Sequence, residues 1–251
     1  MYKSKIVLSI IAISFFLFTG CKNEEEVIIN SNTKVNNRLT EKEKADGWQL
    51  LFDGKTTNGW HKFNGEGIKG GWIVENGELV ALGEGGDIGG DIVTDKEFTN
   101  FDFKIEWKIS HGGNSGIFYH GKEGKEYPAI YYTAPEYQLI DDVGFPQNLK
   151  EWQSTGANYA MHNADKSKKK LKMVGEWNSS RIVVKDSLVK YYLNGEKIVQ
   201  FKCWSDDWNK RKAEGKWKHY LQYGTMKTGK MGLQDHGSKI WFRNIKIRVL
   251  K

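Results

Sequence analysis

Residues 102–109 read Asp-Phe-Lys-Ile-Glu-Trp-Lys-Ile, a strict alternation of polar and apolar side chains. A chain with a period of two can turn one face to a core and the other to water only as a β-strand. The apolar face is Phe103, Ile105, Trp107 and Ile109, and Lys104 and Glu106 lie on the other. Shorter runs of this kind recur from Trp48 onward, bounded by Gly, Asn and Asp. Asn76-Gly77 separates Trp72–Glu75 from Glu78–Ala81, and Asn194-Gly195 separates Tyr191–Leu193 from Lys197–Val199. Both residues of such a turn take positive φ, so the pattern signals type I′ hairpins. Further strands are expected at Gly116–His120, Tyr137–Ile140, Ser180–Lys185, Val189–Leu193, Met231–Gln234 and Ile240–Val249. Many short strands and little amphipathic helix predict an all-β fold, a single-domain sandwich or jelly roll over residues 45–251. The segment from Asp206 to Tyr220 breaks the alternation and reads as a short helix or a lid loop.

The amino terminus has a different texture. Lys3 and Lys5 precede an apolar stretch from Ile6 to Phe18, followed by Thr19-Gly20-Cys21. This is a signal peptide over residues 1–20, too short for the roughly 20 apolar residues of a transmembrane helix. Cys21 after Thr-Gly resembles a lipobox, although Phe18 stands where an aliphatic residue is usual. Lipidation at Cys21 would anchor the chain to a membrane. Lys22 and Asn23 before Glu24-Glu25-Glu26 resemble the acidic export signal of Bacteroidetes-type surface lipoproteins. The expected location is therefore the outer membrane of a Gram-negative cell, on its periplasmic or outer face. Residues 21–44 are polar and rich in Asn, and read as a tether. With Cys21 acylated, Cys203 is the one cysteine left, which excludes an intramolecular disulfide and a cysteine-based zinc site.

The formal net charge of +7 does not mark a nucleic-acid partner. The densest basic run, Lys166 to Lys172, has no interleaved aromatics, and reads as a solvated loop. No nicotinamide fingerprint, His-x-x-x-His pair or Gly-x-Ser-x-Gly elbow occurs.

Several strands carry polar residues at one parity. Glu136 and Gln138 share a face, as do Gln234 and His236, and Glu106 and Lys108. On one sheet these would line a groove of carboxylates, amides and an imidazole. Sugars bind such groups beside aromatic platforms, and the chain has 10 Trp and 11 Tyr. An ordinary solvated sheet face fits the same pattern equally well. The turn at Gly112-Gly113-Asn114-Ser115-Gly116 allows a close backbone approach to a ligand, or simply links two strands.

Six segments, in order, resemble the 3-keto-disaccharide hydrolase family over about residues 47–251. They are Leu50–Lys55 with Gly59-Trp60, Phe103–Trp107 with Gly113–Phe118, Glu136–Asp141, Gly175–Asn178, Gly232–Gly237 and Trp241–Ile245. The resemblance implies a concanavalin-like jelly roll of two antiparallel sheets and activity on oxidised glycosides. Glu136 and Gln138 match the family's Glu-Tyr-Gln motif, Asp235 and His236 its Gln-Asp-His motif, and Asn114 and Ser115 its Asn-Ser turn. Residues 166–172 and 208–223 follow no fixed pattern of the family.

A ketone at C3 of a sugar acidifies the C2 hydrogen, so a base can remove it and the C1 substituent can leave by β-elimination. Water then adds back. The site needs a base, an acid for the leaving oxygen and an electrophile at the C3 oxygen. His236 and Glu136 are the expected proton carriers. Gln138, Gln234, Asn114, Ser115, Glu106, His120 and Asp235 are the expected substrate-binding residues. A divalent cation (Mn²⁺, Co²⁺ or Ca²⁺) held by His236 with Glu136 or Asp141 is an alternative electrophile. Competing readings are a two-carboxylate glycosidase built on Glu106 and Glu136, a lectin-like binding module, and a structural surface lipoprotein.

Overall fold

The structure is a computed structural model that describes residues 35–68, 70–83 and 89–251. The expected leader over residues 1–20, Cys21 and the tether as far as residue 34 lie outside the described residues. Among the described residues thirteen strands follow in chain order: β1 (Trp48–Leu50), β2 (Trp60–Lys62), β3 (Trp72–Glu75), β4 (Glu78–Ala81), β5 (Ile92–Phe98), β6 (Phe101–Ile109) and β7 (Asn114–Gly121). The rest are β8 (Glu136–Ile140), β9 (Asn178–Lys185), β10 (Leu188–Leu193), β11 (Glu196–Lys202), β12 (Gly229–Leu233) and β13 (Ile240–Val249). Two helices flank them, α1 (Glu41–Ala45) and α2 (Asp206–Glu214).

All pairings are antiparallel. The large sheet runs β11-β10-β9-β6-β13-β4-β3, with β1 also on β13, and the small sheet runs β2-β5-β12-β7-β8. The two-sheet sandwich expected from the alternation is the fold observed. Both Asn-Gly turns close hairpins, with positive φ at Asn76, Gly77, Asn194 and Gly195. The alternating residues of β6 meet Ile117, Tyr119, Tyr137 and Leu139 of the small sheet in one core. Buried tyrosine hydroxyls tie the layers together. Tyr191 donates to the Tyr119 hydroxyl (2.9 Å), and the Tyr137 hydroxyl donates to the Tyr192 carbonyl (3.2 Å).

One boundary differs from the expectation. Residues 35–44 belong to the folded unit rather than to a tether. Asn37 and Asn244 exchange backbone-to-side-chain hydrogen bonds (2.6 and 2.8 Å), and Lys246 pairs with Glu43. Thr40 and Glu43 form a capping box that starts α1. A polar composition hid these contacts because they are all hydrogen bonds and ion pairs.

The irregular segment holds α2 and a 3-10 turn, Lys216–His219. Ser205 caps α2, and its Oγ accepts the Trp208 N–H at 3.3 Å. Trp217 stacks on Tyr223 with ring centroids 4.1 Å apart, and Trp208 stacks on the other side of the same network. Such pairs add about 0.5–1.5 kcal/mol each beyond area burial. Cys203 is buried, as expected of a small packed hydrophobe, and burial pushes its thiol up to about 12.

His162 joins this segment to the sandwich, stacked on Phe201 and bonded to Asp207 (3.2 Å). Burial and the Arg211 charge pull its pKa down to about 4, against the opposing pull of Asp207. The unfolded chain binds that proton from about pH 6.5, so stability is lost as pH falls from there towards 4, by on the order of 3 kcal/mol. Denaturant midpoints should therefore drop between pH 7 and 4.5, and His162→Gln should flatten the drop. An unchanged slope in that variant would remove His162 as its cause.

Candidate active site

The register of β7 against β8 decides which side chains meet. Gly116 lies opposite Gln138 and Phe118 opposite Glu136, while Ile117 lies opposite Tyr137. Opposed residues project to the same side of a sheet. Tyr137 and Leu139 go to the core, so Glu136 and Gln138 occupy the outer face of the small sheet. That face is not a solvated one: Glu136 is 5 % exposed and Gln138 3 %. Phe118 packs there in a second apolar cluster with Phe63, Val93, Ile130 and Ala134, with Tyr131 against it.

Gly116 provides the space that Glu136 fills. A Cβ at Gly116 would collide with Glu136 Oε1 and lie 2.9 Å from its Cγ. The chain after β12 supplies the neighbouring groups. The Gln234 N–H donates to the Gly116 carbonyl (3.0 Å), and the Asn114 N–H donates to Ser238 Oγ (3.1 Å). Residues 234–238 therefore run along β7, which sets Gln234 beside Gly116 and His236 on the adjoining exposed loop. Asn114 Oδ1 and Gln234 Oε1 are buried and have no hydrogen-bond partner among the described residues. Buried acceptors are rarely left unpaired, so these two mark a place where a ligand's donors belong.

Electrostatics separates Glu136 from an ordinary carboxylate. Burial pushes its pKa up to about 8, with Asp91 adding to the shift and the Lys216 ammonium opposing it. At neutral pH the group is an acid that still holds its proton. Lys216 lies on the 3-10 turn, with Nζ 4.3 Å from the centre of the Tyr159 ring and 4.8 Å from that of Trp217. Burial lowers the Lys216 pKa, and Glu136 pulls it the other way.

Not every expected residue joins this row. Ser115 projects to the opposite face from Asn114, and its Oγ donates to the Gln234 carbonyl (2.8 Å), so it braces the loop. Asp235 accepts from the Gly89 N–H (2.8 Å) and the Gly237 N–H (3.2 Å), and shapes the turn that carries His236. His120 has a φ of 54°, which breaks the alternation and turns its ring onto Phe101 and Tyr119. Glu106 lies on the outer face of the large sheet, bonded to Arg243 and Asn244 (both 2.9 Å). The core therefore lies between Glu106 and Glu136, and the expected two-carboxylate pair does not form. Asp141 accepts from the Gly112, Val143 and Gly144 N–H groups, which outweigh its burial and hold its pKa below the usual range. Among the described residues, no group of three or more His, Cys, Asp or Glu could hold a metal ion. His236, Glu136 and Asp141 do not together form such a group.

Sequence reasoning missed Lys216, Tyr159 and Asp91. None sits in a pattern of its own, since Lys216 and Tyr159 reach Glu136 from segments 57 residues apart in the chain.

The fold is an antiparallel jelly-roll sandwich, and the outer face of its small sheet carries a dry acid and two buried amide oxygens without partners among the described residues. The chain belongs to the 3-keto-alpha-glucoside-1,2-lyase-like domain family, whose profile matches residues 47–248. It is similar to a 3-keto-disaccharide hydrolase of Bacteroides thetaiotaomicron, 32% identical over 230 residues, covering 82% of this chain and 79% of that one. It is also similar to a crystal structure from Parabacteroides distasonis of a protein whose name proposes glycosyl hydrolase activity. That match has 46% identity and a TM-score of 0.81, over 86% of this chain and 100% of the other. A second such structure from the same organism matches at 27% identity and a TM-score of 0.62, over 81% of this chain and 99% of that one. The protein is thus a glycoside-cleaving enzyme.

Two outcomes follow from this geometry. Gly116→Ala should displace Glu136 and cut turnover at least tenfold, measured on whatever glycoside the wild type cleaves; full activity would show that the close approach is dispensable. Glu136 binds its proton more tightly folded than unfolded, so it costs stability as pH rises from about 4.5 through 8. The Glu136→Gln variant should then outlast the wild type in thermal melts at pH 9, by up to about 4 kcal/mol, and match it at pH 4.

Proposed function

We propose that this enzyme cleaves 3-keto-glycosides, 3-keto-disaccharides among them, by C2 deprotonation and β-elimination followed by hydration. The observation that carries the reading is Glu136, a carboxylic acid kept protonated at neutral pH beside unpaired amide oxygens. The two-carboxylate pair expected of Glu106 and Glu136 does not form, because Glu106 is on the other sheet; Asp91 is the carboxylate that acts on Glu136, raising its pKa. An elimination route needs one acid and one separate base.

In this scheme the His236 imidazole takes the C2 proton and the C3 carbonyl becomes an enediolate. The bond from C1 to the leaving oxygen breaks, and the Glu136 proton moves to that oxygen. Water then adds at C1, giving one proton to the Glu136 carboxylate while His236 returns its proton to C2. Both groups end as they began, and the net reaction is hydrolysis. Asn114 Oδ1 and Gln234 Oε1 accept hydrogen bonds from sugar hydroxyls. The Lys216 ammonium places positive charge on the same side, for the oxygen that gains charge. The half-buried ring of Tyr159 offers a stacking surface, with Trp217 buried behind it. The reading also includes attachment at Cys21 to the outer membrane, which labelling with a radioactive fatty acid in the wild type and Cys21→Ser would test.

The decisive experiment compares a 3-keto-glucoside with its unoxidised glucoside, for the wild type, Glu136→Gln and His236→Ala. Aglycone release from the keto sugar alone, reduced about 10²- to 10⁴-fold in each variant, supports the scheme. The wild-type rate should fall as pH rises through about 8, where Glu136 loses its proton. Release from the plain glucoside, or wild-type rates in both variants, would overturn it. Sugar binding without release would favour the lectin reading.

A further inference from the structure

A cavity lies at the other end of β8 from Glu136. It has a volume of about 720 Å³ and opens where the chain leaves β8 through residues 141–144. Its wall includes Trp107 and Ile109, which belong to the core-facing side of β6. The row of Glu136, Gln138 and Gln234 is on the outer face of the small sheet, and none of the three lines this cavity. The two sites are separate, and the inference below does not depend on the proposed reaction.

The apolar part of the lining is formed by Ile109, Ile140, Leu149, Leu171 and Met173, with lysines and carboxylates around them. Met173 is 78% exposed and Val143, also at the wall, is 95% exposed. Large apolar side chains at the mouth of an apolar cavity mark a place where something covers them. The volume is within the range of about 300–1,000 Å³ typical of small-molecule sites.

The roof is the basic run read above as a solvated loop, and it is built rather than loose. Lys169 is nearly buried in an ion pair with Asp142, and Lys166 pairs with Glu151 at 2.7 Å. The Lys172 N–H donates to Asn178 Oδ1 (3.0 Å), and Asn194 Nδ2 donates to the Lys170 carbonyl (2.7 Å). These bonds pin the segment that carries Leu171 and Met173. The same pairs settle the charges. Glu151 answers Lys166, Asp142 answers Lys169, and Asp141 is engaged by backbone amides. Among the described residues, Lys150 and Lys172 are the lining cations that no carboxylate answers.

We propose that this cavity binds a small amphiphile with an apolar body and a single anionic head group, the body against Ile109, Leu171 and Met173 and the head at Lys150 and Lys172. The apolar wall supplies affinity, and the unanswered cations select the sign of the head group.

The test uses decanoate and decyltrimethylammonium, equal in chain length and opposite in charge, each titrated calorimetrically into the full-length protein below its micelle concentration. Decanoate should bind at least tenfold more tightly than the cation. The Lys150→Glu/Lys172→Glu double variant, changed only at exposed side chains, should lose that preference. Leu171→Trp should fill the cavity and weaken decanoate at least tenfold, with circular dichroism and the melting temperature reporting that it folds. No binding of decanoate, equal binding of the two amphiphiles, or unchanged decanoate affinity in a folded Leu171→Trp would each overturn the proposal. Because binding is read without any sugar, its failure leaves the keto-glycoside reading intact, and the converse holds.

Discussion

The pairing register of β7 with β8 is the constraint on which the rest depends. Gly116 faces Gln138, so Tyr137 and Leu139 enter the core and Glu136 and Gln138 leave it. A slip of one residue would reverse every side chain on β8. It would set a carboxyl and an amide among Phe103, Trp107 and Tyr191, where burial without partners is costly. The apolar core therefore enforces the polar row. The tyrosine hydroxyl bonds between the sheets add to this, because Tyr137 reaches the Tyr192 carbonyl only in the observed register.

The row itself runs against stability. A protonated Glu136 and two unpaired amide oxygens are what a folding argument alone would remove. They persist because the surroundings over-determine them: Gly116 leaves the space, the loop over 234–238 is stitched to β7, and the aromatic stack under α2 holds Lys216 and Tyr159 in place. Preorganised polar groups in a site shielded from water are more effective on developing charge than the same groups in solvent. The energetic cost of the site and its chemical use have the same origin.

The outer face of the large sheet shows the contrast. There Asp102 accepts two bonds from Arg181 (2.6 and 2.7 Å) and one from Arg248 (3.0 Å), and Arg243 stacks on Trp177. These charged groups are paired with one another, in contrast to the dry Glu136. Glu106 belongs to that face, which is why the same parity argument that placed Glu136 at a site also placed Glu106 there, although only Glu136 reaches one.

Local pattern alone determined most of the strands, and β1, β2 and β5 were not read from it. The period of two in β6, the Asn-Gly turns after β3 and β10, and the parity that pairs Glu136 with Gln138 are properties of neighbours in the chain, and hydrophobic alternation reports them directly. The order of motifs was likewise legible as a family resemblance. The tertiary structure decided which polar faces meet and which groups are dry. Asn114, Gly116 and Gln234 were visible one by one, but their alignment depends on β12 lying beside β7. His120 and Ser115 looked available and are engaged inside the fold, because a positive φ and a loop contact redirect them. Lys216 and Tyr159 carried no signal, since their approach to Glu136 is made by the packing of distant segments. Burial and charge coupling depend on that packing, and a linear pattern records only what a residue's neighbours in sequence require.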